Sequence, residues 1–326
     1  MNRPTRREIE HWLTQVSGVV RVHLVGMGGC GMSGLAHLLL DMGFTVSGSD
    51  LCKNPDLCKL RDRGATFSLG HNAKKINENR PALVVYSSAI RLDNPELARA
   101  NQLGIPIVRR AILLSALASC KRVVCVAGMH GKTTTTAMLA CTLEQLGNDV
   151  GFAVGAGVPQ LGRHARMPSA ENSFFVLETD ESDGTLREFH SEHSIVLNID
   201  EEHLDFYENF ESVCDEFIAF GKQASGRLIY CADDPLLSEI YANNLNSISY
   251  GFNPAADYQA EIIGPKEFLV RHHQQSIGKF KIGLFGEKNI SNAVAVVAFL
   301  HANCFAPDNI SRALGKFKGV NRRQQE

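Results

Sequence analysis

The sequence lacks the features that mark a disulfide-bonded, zinc-binding or membrane-spanning protein. Its nine cysteines form no C-x-x-C pair, and several stand in strand-like or helix-like runs, as buried reduced thiols do. No apolar run reaches the ~20 residues of a membrane span, and the first ten residues are charged instead of forming an apolar leader. A net charge of −2 provides no basic field for nucleic acid. We therefore expect a cytoplasmic protein that binds neither nucleic acid nor membrane.

Strand-like and helix-like runs alternate along the sequence from Val19 onward. With 326 residues, 44% of them hydrophobic, the chain can form two domains with cores of their own. This alternation is typical of parallel sheets covered by helices, so we predict an α/β fold. Beyond Pro254 the pattern alternates residue by residue and predicts an antiparallel edge. The predicted strands are Val19–Val25, Thr45–Ser49, Leu83–Ser87 and Ile105–Val108 in the first domain, and Val123–Val126, Phe174–Glu178, Ile195–Ile199, Leu228–Cys231 and Ser247–Tyr250 in the second.

The most informative stretch reads G-M-H-G-K-T-T over residues 128–134, between a predicted strand and a helix-period segment. Such a turn is a cradle for a nucleoside triphosphate: backbone N–H groups face the phosphates, Lys132 reaches the β and γ oxygens, and the Thr133 hydroxyl ligates Mg²⁺. Val126 stands where the common G-x-x-x-x-G-K-[ST] motif has its first glycine, so the loop is a shortened form. A chance turn rich in glycine and threonine is the alternative. The residues predicted to bind ATP are Gly128, Met129, His130, Gly131, Lys132, Thr133 and Thr134.

A second glycine-rich turn follows the first predicted strand. It reads G-M-G-G-C-G-M-S-G over residues 26–34, and Asp50 closes the next strand nineteen residues after Gly31. This spacing satisfies the dinucleotide fingerprint, G-x-G-x-x-G with a downstream acid. The pattern requires only a close backbone approach to a diphosphate. NAD, a nucleotide-sugar diphosphate and a turn without a ligand therefore all remain open.

These two loops and four further stretches resemble the UDP-N-acetylmuramate–L-alanine ligases of the Mur ligase family. The further stretches are SGSD at 47–50, YSSAI at 86–90, ETDESD at 178–183 and NIDEEHLD at 198–205, in the family's order and spacing. The related murein-peptide ligases normally have C-G-T or G-G-T in the first loop and D-E-Y-D in place of D-E-S-D, so the alanine-adding enzymes match better. The resemblance implies a Rossmann-like UDP-sugar-binding domain over 1–118 and a P-loop ATPase-type central domain over 119–321.

The resemblance also assigns roles that the patterns alone do not. The residues implied near the UDP-sugar are Gly28, Gly29, Cys30, Gly31, Met32, Ser33, Asp50, His71, Ser87 and Ser88. His130 would lie near the muramate carboxylate, and the catalytic residues would be Lys132, His130 and His203. Magnesium would be held by Thr133, Glu178 and His203. Position alone leaves Glu178 open as a solvated strand end, and ligand chemistry alone would not choose His203 over its acidic neighbours.

Two amides and an arginine complete the implied ATP site. Asn289 and Asn292 are spaced i, i+3, on one face of a helix, where they could contact adenine. A helix cap suits Asn289 equally well. The family's usual G-x-H-N-x-x-N has Lys288 here in place of the histidine, which puts any role of that histidine in doubt. Arg322, with Arg323, matches the Arg-Arg that ends the family's central domain, or else belongs to a solvated basic tail.

The implied activity is an ATP-dependent ligation in peptidoglycan precursor synthesis. The carboxylate of UDP-N-acetylmuramate attacks the γ-phosphate of ATP to give an acyl phosphate, and the amine of L-alanine then displaces phosphate. ATP and Mg²⁺ are the implied cofactors. Residues 322–326 would begin a linker to the family's third domain, so we expect the first two domains of a longer ligase, inactive alone. An NAD-dependent dehydrogenase and a non-catalytic nucleotide-sugar sensor are the alternatives.

Overall fold

The computed structural model describes residues 3–119, 121–180, 184–200 and 209–321, which form two compact units. The first unit contains the described residues up to 119 together with Ala165–Met167, and the second contains the other described residues. Both units are built on mainly parallel sheets with intervening helices, which confirms the α/β prediction. None of the helices in these ranges combines the length and the apolar character that crossing a bilayer demands.

Strands and helices alternate along the first unit. In chain order they are α1 (Arg6–Gln15), β1 (Arg21–Val25), α2 (Cys30–Asp41), β2 (Thr45–Asp50), α3 (Pro55–Asp62), β3 (Thr66–Leu69), α4 (Ala73–Asn79), β4 (Leu83–Tyr86), α5 (Pro95–Gln102), β5 (Ile107–Arg109) and α6 (Arg110–Ala118). The sheet is parallel, with the strand order β3-β2-β1-β4-β5. The order reverses between β1 and β4, and at such a point the carboxyl ends of the strands leave a crevice for a ligand. The Rossmann-like prediction for this unit is confirmed.

Burial and helix caps explain why these segments form the elements of the first unit. Apart from the buried His23 of β1, the inner positions of β1 and β4 are apolar, and Val22, Leu24 and Val84 are fully buried, as expected of strands covered on both faces. Asn54 and Asn94 cap α3 and α5 with their side chains, and a proline follows each cap at the first helical position. Local sequence signals and burial therefore agree on the same boundaries.

A strand that leads into the predicted ATP loop opens the rest of the chain. From residue 121 onward the elements are β6 (Arg122–Ala127), α7 (Lys132–Gln145), β7 (Val150–Ala153), the 3₁₀ helix η1 (Pro159–Leu161), β8 (Ala165–Arg166), β9 (Phe174–Glu178), the 3₁₀ helix η2 (Leu186–Glu188), β10 (His193–Val196), α8 (Phe210–Lys222), β11 (Leu228–Cys231), α9 (Pro235–Tyr241), β12 (Ser247–Gly251), β13 (Tyr258–Gly264), β14 (Glu267–His272), β15 (Gln275–Lys281), α10 (Glu287–Ala302) and α11 (Pro307–Leu314).

Strand β6 lies at the centre of the second unit's sheet, between β9 and β10. The strand order is β15-β14-β13-β12-β11-β10-β6-β9-β7. Pairing is parallel from β7 to β13, and β13, β14 and β15 pair antiparallel, which confirms the predicted antiparallel edge. Because β6 is central, residues just beyond the carboxyl ends of β6, β9 and β10 are brought together at one edge of the sheet.

Two strands that the sequence did not predict, β3 and β7, extend the sheets. β3 is a half-exposed edge strand with Thr66 and Ser68, and β7 contains Gly151. Neither shows the buried β-branched run that predicts a strand. The strand predicted at Ile195–Ile199 is shifted, since β10 ends at Val196 and the chain then turns toward the residues that follow β6.

A buried histidine in β10 couples the stability of the second unit to pH. His193 is 4% exposed, and its Nδ1 accepts a hydrogen bond from the N–H of Arg227 at 3.0 Å, so this nitrogen carries no proton in the folded state. Nε2 lies 3.2 Å from Oε1 of Glu192 but outside hydrogen-bond alignment. Burial holds the pKa of His193 below its usual value, although the charge of Glu192 opposes the shift. Burial also lowers the pKa values of His272 and His301.

We expect the melting temperature to fall as the pH is lowered from about 7.5 to about 5.5. A histidine with a lowered folded-state pKa stabilises the fold above its ordinary pKa of about 6.5, and this contribution is lost as the pH falls from there through the folded-state value. Each kcal/mol lost corresponds to about 2–4 °C for a unit of roughly 150–250 residues. Thermal melts across the pH series test this. His193→Asn keeps an acceptor but cannot titrate, so it should flatten the dependence, and an unchanged slope would contradict the role of His193.

Candidate functional site

The phosphate loop, defined here as residues 128–131, joins the central strand β6 to helix α7. Gly128 has a φ of 135° and Gly131 a φ of 85°, both in the region that favours glycine. A Cβ on Gly131 would stand 2.8 Å from Oδ1 of Asn292, and one on Gly128 would stand 3.0 Å from the backbone nitrogen of Asn198. Conformation and space both require glycine here. The turn places the N-terminus of α7, the helix end that favours anions, at the carboxyl end of β6.

Lys132 is the first residue of α7, and its amine lies over the phosphate loop. Nζ donates to the carbonyl oxygen of Gly128 at 2.7 Å and lies 3.5 Å from that of Met129. The side chain therefore folds back across the loop. An ammonium group in this position can exchange loop carbonyls for the more negative oxygens of a phosphate, because hydrogen bonds between ionised partners are the stronger ones.

Thr133 and Glu178 bring oxygen atoms from two elements together beside the phosphate loop. Oγ1 of Thr133 donates to Oε1 of Glu178 at 2.8 Å, and Oε2 accepts the N–H of Gly155 at 2.5 Å. Glu178 ends β9 and pairs in register with Val126 of β6, two residues before the loop. A hydroxyl and a carboxylate are oxygen ligands of the kind that Mg²⁺ binds, so the pair fits this ion. In the described ranges, no cluster of three or more His, Cys, Asp or Glu forms another candidate metal site.

Asn198, two residues beyond β10, clamps the phosphate loop. Its Oδ1 accepts the N–H of His130 at 2.7 Å, and its Nδ2 donates to the carbonyl oxygen of His130 at 3.0 Å. Its backbone oxygen accepts the N–H of Met129 at 3.3 Å. One residue thus satisfies three backbone groups of the loop, so the shape of the loop is set from the neighbouring strand.

We expect Asn198→Asp to weaken ATP binding more than Asn198→Ala. Alanine leaves the His130 backbone to water and should cost about 0.5–1.5 kcal/mol, whereas aspartate turns a carboxylate oxygen toward the His130 carbonyl and should cost about 1–3 kcal/mol. Fluorescence titration with ATP measures both variants. Asn303→Ala, which removes an amide bonded to Phe299 O at the end of α10, is the matched control and should bind ATP normally. Equal losses in the two Asn198 variants would contradict a two-point clamp.

A cavity of about 600 Å³ opens beside the phosphate loop. Its wall includes Gly131 from the loop, Asn198 beyond β10, Asp234 at the start of α9, and Lys288 and Asn292 from the first turns of α10. Small-molecule sites commonly occupy about 300–1,000 Å³. The cavity therefore has the size and the position to accept part of a nucleotide whose phosphates lie on the loop.

The two amides predicted to contact adenine take different positions. Asn292 is 9% exposed, and its Oδ1 lies against Gly131, so it borders the phosphate loop. Asn289 is not among the described residues that line the cavity, and its Nδ2 donates to the carbonyl oxygen of Phe285 at 2.7 Å. The alternative that Asn289 caps the helix is wrong, because the N-cap of α10 is Gly286.

In the first unit, Asp50 and Asn54 hold the glycine turn that follows β1. The N–H of Gly28 donates to Oδ2 of Asp50 at 2.7 Å, and the carbonyl oxygen of Gly28 accepts from Nδ2 of Asn54 at 2.7 Å. A Cβ on Gly28 would stand 2.9 Å from both side chains. Gly29 follows as the N-cap of α2. The turn is thus fixed in a form that brings its backbone to the carboxyl end of β1.

Other predicted UDP-sugar residues differ in how much they can reach a ligand. Ser33 is fully buried and its hydroxyl donates to the carbonyl oxygen of Cys30 at 3.1 Å, and Met32 is 1% exposed. Their side chains serve the packing of α2, which leaves the backbone of this turn for a ligand. Beyond β4, Ser88 is exposed and Ser87 half-buried. Ser87 and Ser88 therefore lie on the β4 side of the point where the strand order reverses between β1 and β4.

Two nitrogen-bearing side chains border the same end of the sheet. The guanidinium group of Arg110, at the start of α6, lies where a Cβ on Gly31 would approach it to 3.0 Å. His71 follows β3, and its Nδ1 lies 2.8 Å from Oγ of Ser49 in β2. Arg110 gives this crevice a positive charge, and the carboxylate of Asp50 gives it hydrogen-bond acceptors.

His203 and Arg322, the latter with Arg323, lie outside the described residues. The roles assigned to them, as a magnesium ligand and an ATP contact, stay predictions. The described part of the candidate ATP site consists of the phosphate loop, Lys132, Thr133, Glu178 and the cavity beside them.

Comparison with known families assigns the chain. The family model described as "Mur ligase family, catalytic domain" matches residues 21–122, and that of the "Mur ligase middle domain" matches residues 126–300. The chain belongs to the Mur ligase family. The UDP-N-acetylmuramate–L-alanine ligase of Syntrophus aciditrophicus (strain SB) is 35% identical over 325 residues, which cover 98% of this chain and 65% of that relative. This Mur ligase chain thus spans slightly less than two thirds of the length of the curated relative.

Solved structures show the same fold for this Mur ligase. The UDP-N-acetylmuramate:L-alanyl-γ-D-glutamyl-meso-diaminopimelate ligase from Neisseria meningitides matches with a TM-score of 0.86 and 25% identity, over 94% of this chain and 100% of that chain. The UDP-N-acetylmuramate-alanine ligase from Thermotoga maritima matches with a TM-score of 0.83 and 28% identity, over 93% of this chain and 70% of that chain.

Sequence reasoning gave no role to several residues that the structure places at the sites of this Mur ligase, among them Arg110 beside Gly31. Asn198 stood inside a matching stretch but was given no role. Asn54 precedes a proline, a visible cap signal, yet its bond to Gly28 depends on tertiary structure. Glu96 carries no sequence signal for its position, because a glutamate in the first turn of a helix is ordinarily solvated, whereas this one is fully buried.

Proposed function

We propose that this Mur ligase chain binds ATP and UDP-N-acetylmuramate for an ATP-dependent ligation of L-alanine to the muramate carboxylate. The observation that carries the proposal is the arrangement at the start of α7, where Lys132, Thr133 and Glu178 converge beyond β6 and β9. The name of the Syntrophus relative states the same ligation, and its sequence aligns with nearly the whole of this chain.

The residues around the phosphate loop have tasks that suit their contacts. The N-terminus of α7 and the loop amides would hold phosphate oxygens, and Lys132 would neutralise charge as the γ-phosphoryl group moves. His130 lines the adjoining cavity, where it would hold the muramate carboxylate in line. A carboxylate oxygen then attacks the γ-phosphorus and the bond to ADP breaks. The amine of L-alanine attacks the resulting acyl carbon, and phosphate leaves with the bonding electrons.

Thr133 and Glu178 would hold Mg²⁺ beside the phosphates, through one hydroxyl and one carboxylate oxygen. The bound ion would offset the negative charge of the β- and γ-phosphate oxygens. Glu178 is oriented for this task by the N–H of Gly155, which fixes its other oxygen. Alignment and charge neutralisation, without a covalent enzyme intermediate, therefore account for the first half of the reaction.

The first unit would bind the UDP-sugar in the crevice beyond β1, β2 and β4. The backbone around Gly28 and the guanidinium of Arg110 face the diphosphate in this proposal, and Asp50 offers acceptors to hydroxyl groups. A sugar-linked carboxylate distinguishes UDP-N-acetylmuramate from UDP-N-acetylglucosamine, so the pair of ligands provides a matched comparison.

Calorimetric titration of the chain tests the proposal. We expect binding of ATP in the presence of Mg²⁺, binding of UDP-N-acetylmuramate, and weaker binding of UDP-N-acetylglucosamine. Binding of NAD without binding of either UDP-sugar would contradict the proposal and favour a dehydrogenase. Chromatography of the UDP-sugar after incubation with Mg²⁺-ATP and L-alanine tests the ligation itself. Binding of both ligands without product agrees with the expectation that these two domains are inactive alone, and a product formed with another amine but not with alanine would reject the alanine specificity.

A further inference from the structure

A buried polar cluster in the first unit connects Glu96 of α5 to His71. Glu96, Ser49 and His23 are each fully buried, while the His71 side chain is 12% exposed. Oε2 of Glu96 accepts the hydroxyl of Ser49 at 2.5 Å, and Oε1 accepts the N–H of Asn72 at 3.1 Å. Nε2 of His23 lies 3.6 Å from the same Oε2, on the other side of the carboxylate.

Glu96 is ionised in this cluster, although it is buried. Burial is the largest influence and raises the pKa of the carboxyl, but the neighbouring His23, the Ser49 hydroxyl and the Asn72 N–H together outweigh it and hold the pKa below its usual value. An ionised carboxylate accepts hydrogen bonds and donates none. The single proton of the Ser49 hydroxyl is therefore committed to Glu96.

The commitment of that proton fixes the tautomer of His71. Oγ of Ser49 also lies 2.8 Å from Nδ1 of His71. Because the hydroxyl donates to Glu96, it can only accept at this contact, so Nδ1 of His71 must carry the ring proton. In the neutral ring Nε2 then holds a lone pair. Among the described residues Nε2 has no hydrogen-bond partner, so an acceptor is left for a ligand.

A uridine nucleotide could present two kinds of donor to Nε2 of His71, the ribose hydroxyls and the N3–H of uracil. The residue follows β3, and Leu69 of β3 pairs in register with Asp50 of β2. A phosphate offers only acceptors, and a ribose hydroxyl can rotate to match either histidine tautomer. The N3–H of uracil only donates, whereas N3 of cytosine only accepts. A ring nitrogen fixed as an acceptor therefore distinguishes these two bases.

We propose that Glu96 and Ser49 hold His71 as an acceptor for the N3–H of uracil, which makes the crevice selective for uridine over cytidine nucleotides. The inference rests on the proposed binding of a UDP-sugar to the first unit. Glu96 and Ser49 are positioning residues in this scheme, and His71 is the residue that contacts the base. A site built to accept the N3–H of uracil rejects a base that lacks this donor, because Nε2 of His71 would then be left without a hydrogen-bond partner.

Competition between UDP and CDP, followed by calorimetry on the full chain, tests the inference. The chain should bind UDP at least about tenfold more tightly than CDP, since a lost hydrogen bond and facing acceptors cost a kcal/mol or more. Glu96→Gln should reverse or abolish this preference. In this variant the Asn72 N–H holds the amide oxygen of the replacement side chain, so the NH₂ group of the glutamine faces Ser49. The Ser49 hydroxyl then accepts from this NH₂ group and donates to Nδ1 of His71. The ring proton of His71 moves to Nε2, which becomes a donor.

Two further variants separate base recognition from folding. His71→Gln should bring the UDP-to-CDP ratio close to one, because its amide can rotate to serve either base. Ser47→Ala removes another buried hydroxyl of β2, which bonds to His23 and not to His71, and should keep the wild-type ratio. Nitrogen-15 NMR of the histidine rings, with His71 assigned by its loss in His71→Gln, should show Nδ1 protonated in the wild type and Nε2 protonated in Glu96→Gln.

The outcomes distinguish this inference from the proposed function. If UDP binds but Glu96→Gln and His71→Gln keep the wild-type ratio, the uracil assignment fails and the UDP-sugar proposal stands. An Nε2-protonated His71 in the wild type would likewise overturn the tautomer argument. If neither UDP nor UDP-N-acetylmuramate binds, the proposed function and the inference fail together.

Discussion

Replacing Lys132 with alanine will remove most of the affinity for ATP while leaving the affinity for UDP-N-acetylmuramate nearly unchanged. Lys132 carries the only side-chain charge that the described phosphate loop and the first turn of α7 place over the loop carbonyls. Truncating one partner of a buried charge pair costs about 2–5 kcal/mol, or roughly 30-fold to several thousand-fold in affinity. Calorimetric titration of the variant with each ligand measures the two effects separately.

The matched control for this substitution is Lys121→Ala. Nζ of Lys121 also donates to a backbone carbonyl oxygen, that of Ala170 at 3.0 Å, but the residue precedes β6 at the end opposite the phosphate loop. It should bind ATP like the wild type. Loss of both ligands in Lys132→Ala would show that the two nucleotide sites are not independent, and normal ATP binding would remove the phosphate loop from the proposal.

The Glu178→Gln substitution will abolish the effect of Mg²⁺ on ATP binding. The amide oxygen of the new side chain should accept the Gly155 N–H, as Oε2 does now, because two N–H donors would otherwise face each other. The amide NH₂ group then donates to the Thr133 hydroxyl and occupies the lone pair that the ion requires. We expect ATP affinity in Mg²⁺ to fall by roughly tenfold or more, as a hydrogen-bonded charge contributes about 1.5–3 kcal/mol.

Titration with ATP in Mg²⁺ and again in EDTA distinguishes this effect from a general loss of structure. The variant should match the wild type in EDTA, since the phosphate loop and Lys132 are untouched. Glu267→Gln, which removes a carboxylate from the antiparallel edge where it pairs with Lys281, should retain the full Mg²⁺ effect. A Glu178→Gln variant that still responds to Mg²⁺ would place the ion elsewhere.

Sequence alone predicted the parts of the fold whose signals are local. β6 and β9 are continuous buried apolar runs, and this pattern predicted a strand at each of them. Lys132 and Thr133 follow a glycine turn that only a few backbone conformations satisfy. The structure places Thr133 beside Glu178, as two neighbouring parallel strands require. The strands and the turn could be predicted because each rests on residues close together in the chain. The contact between Thr133 and Glu178, which are 45 positions apart, was implied only by the family resemblance.

The remaining features depend on which distant segments meet. Asn198 bonds to His130 across 68 positions of sequence, and nothing in its neighbourhood marks it as a clamp. Asn289 and Asn292 share a helix face, yet only Asn292 lies against Gly131, while Asn289 bonds back to the residues before α10. Glu96 looks like a surface residue of a first helical turn. Burial, which no local pattern encodes for a charged residue, decides its role.

The clamp by Asn198 also makes one amide proton a reporter of how often the ATP site opens. The side chain of His130 is exposed, yet its N–H is bonded to Asn198 and is shielded from exchange with solvent deuterons. Exchange at this amide requires the loop to separate from the residue beyond β10. Its rate therefore reports the fraction of time that the loop spends open in the free chain, and the slowing that ATP causes would measure the loop's coupling to the nucleotide.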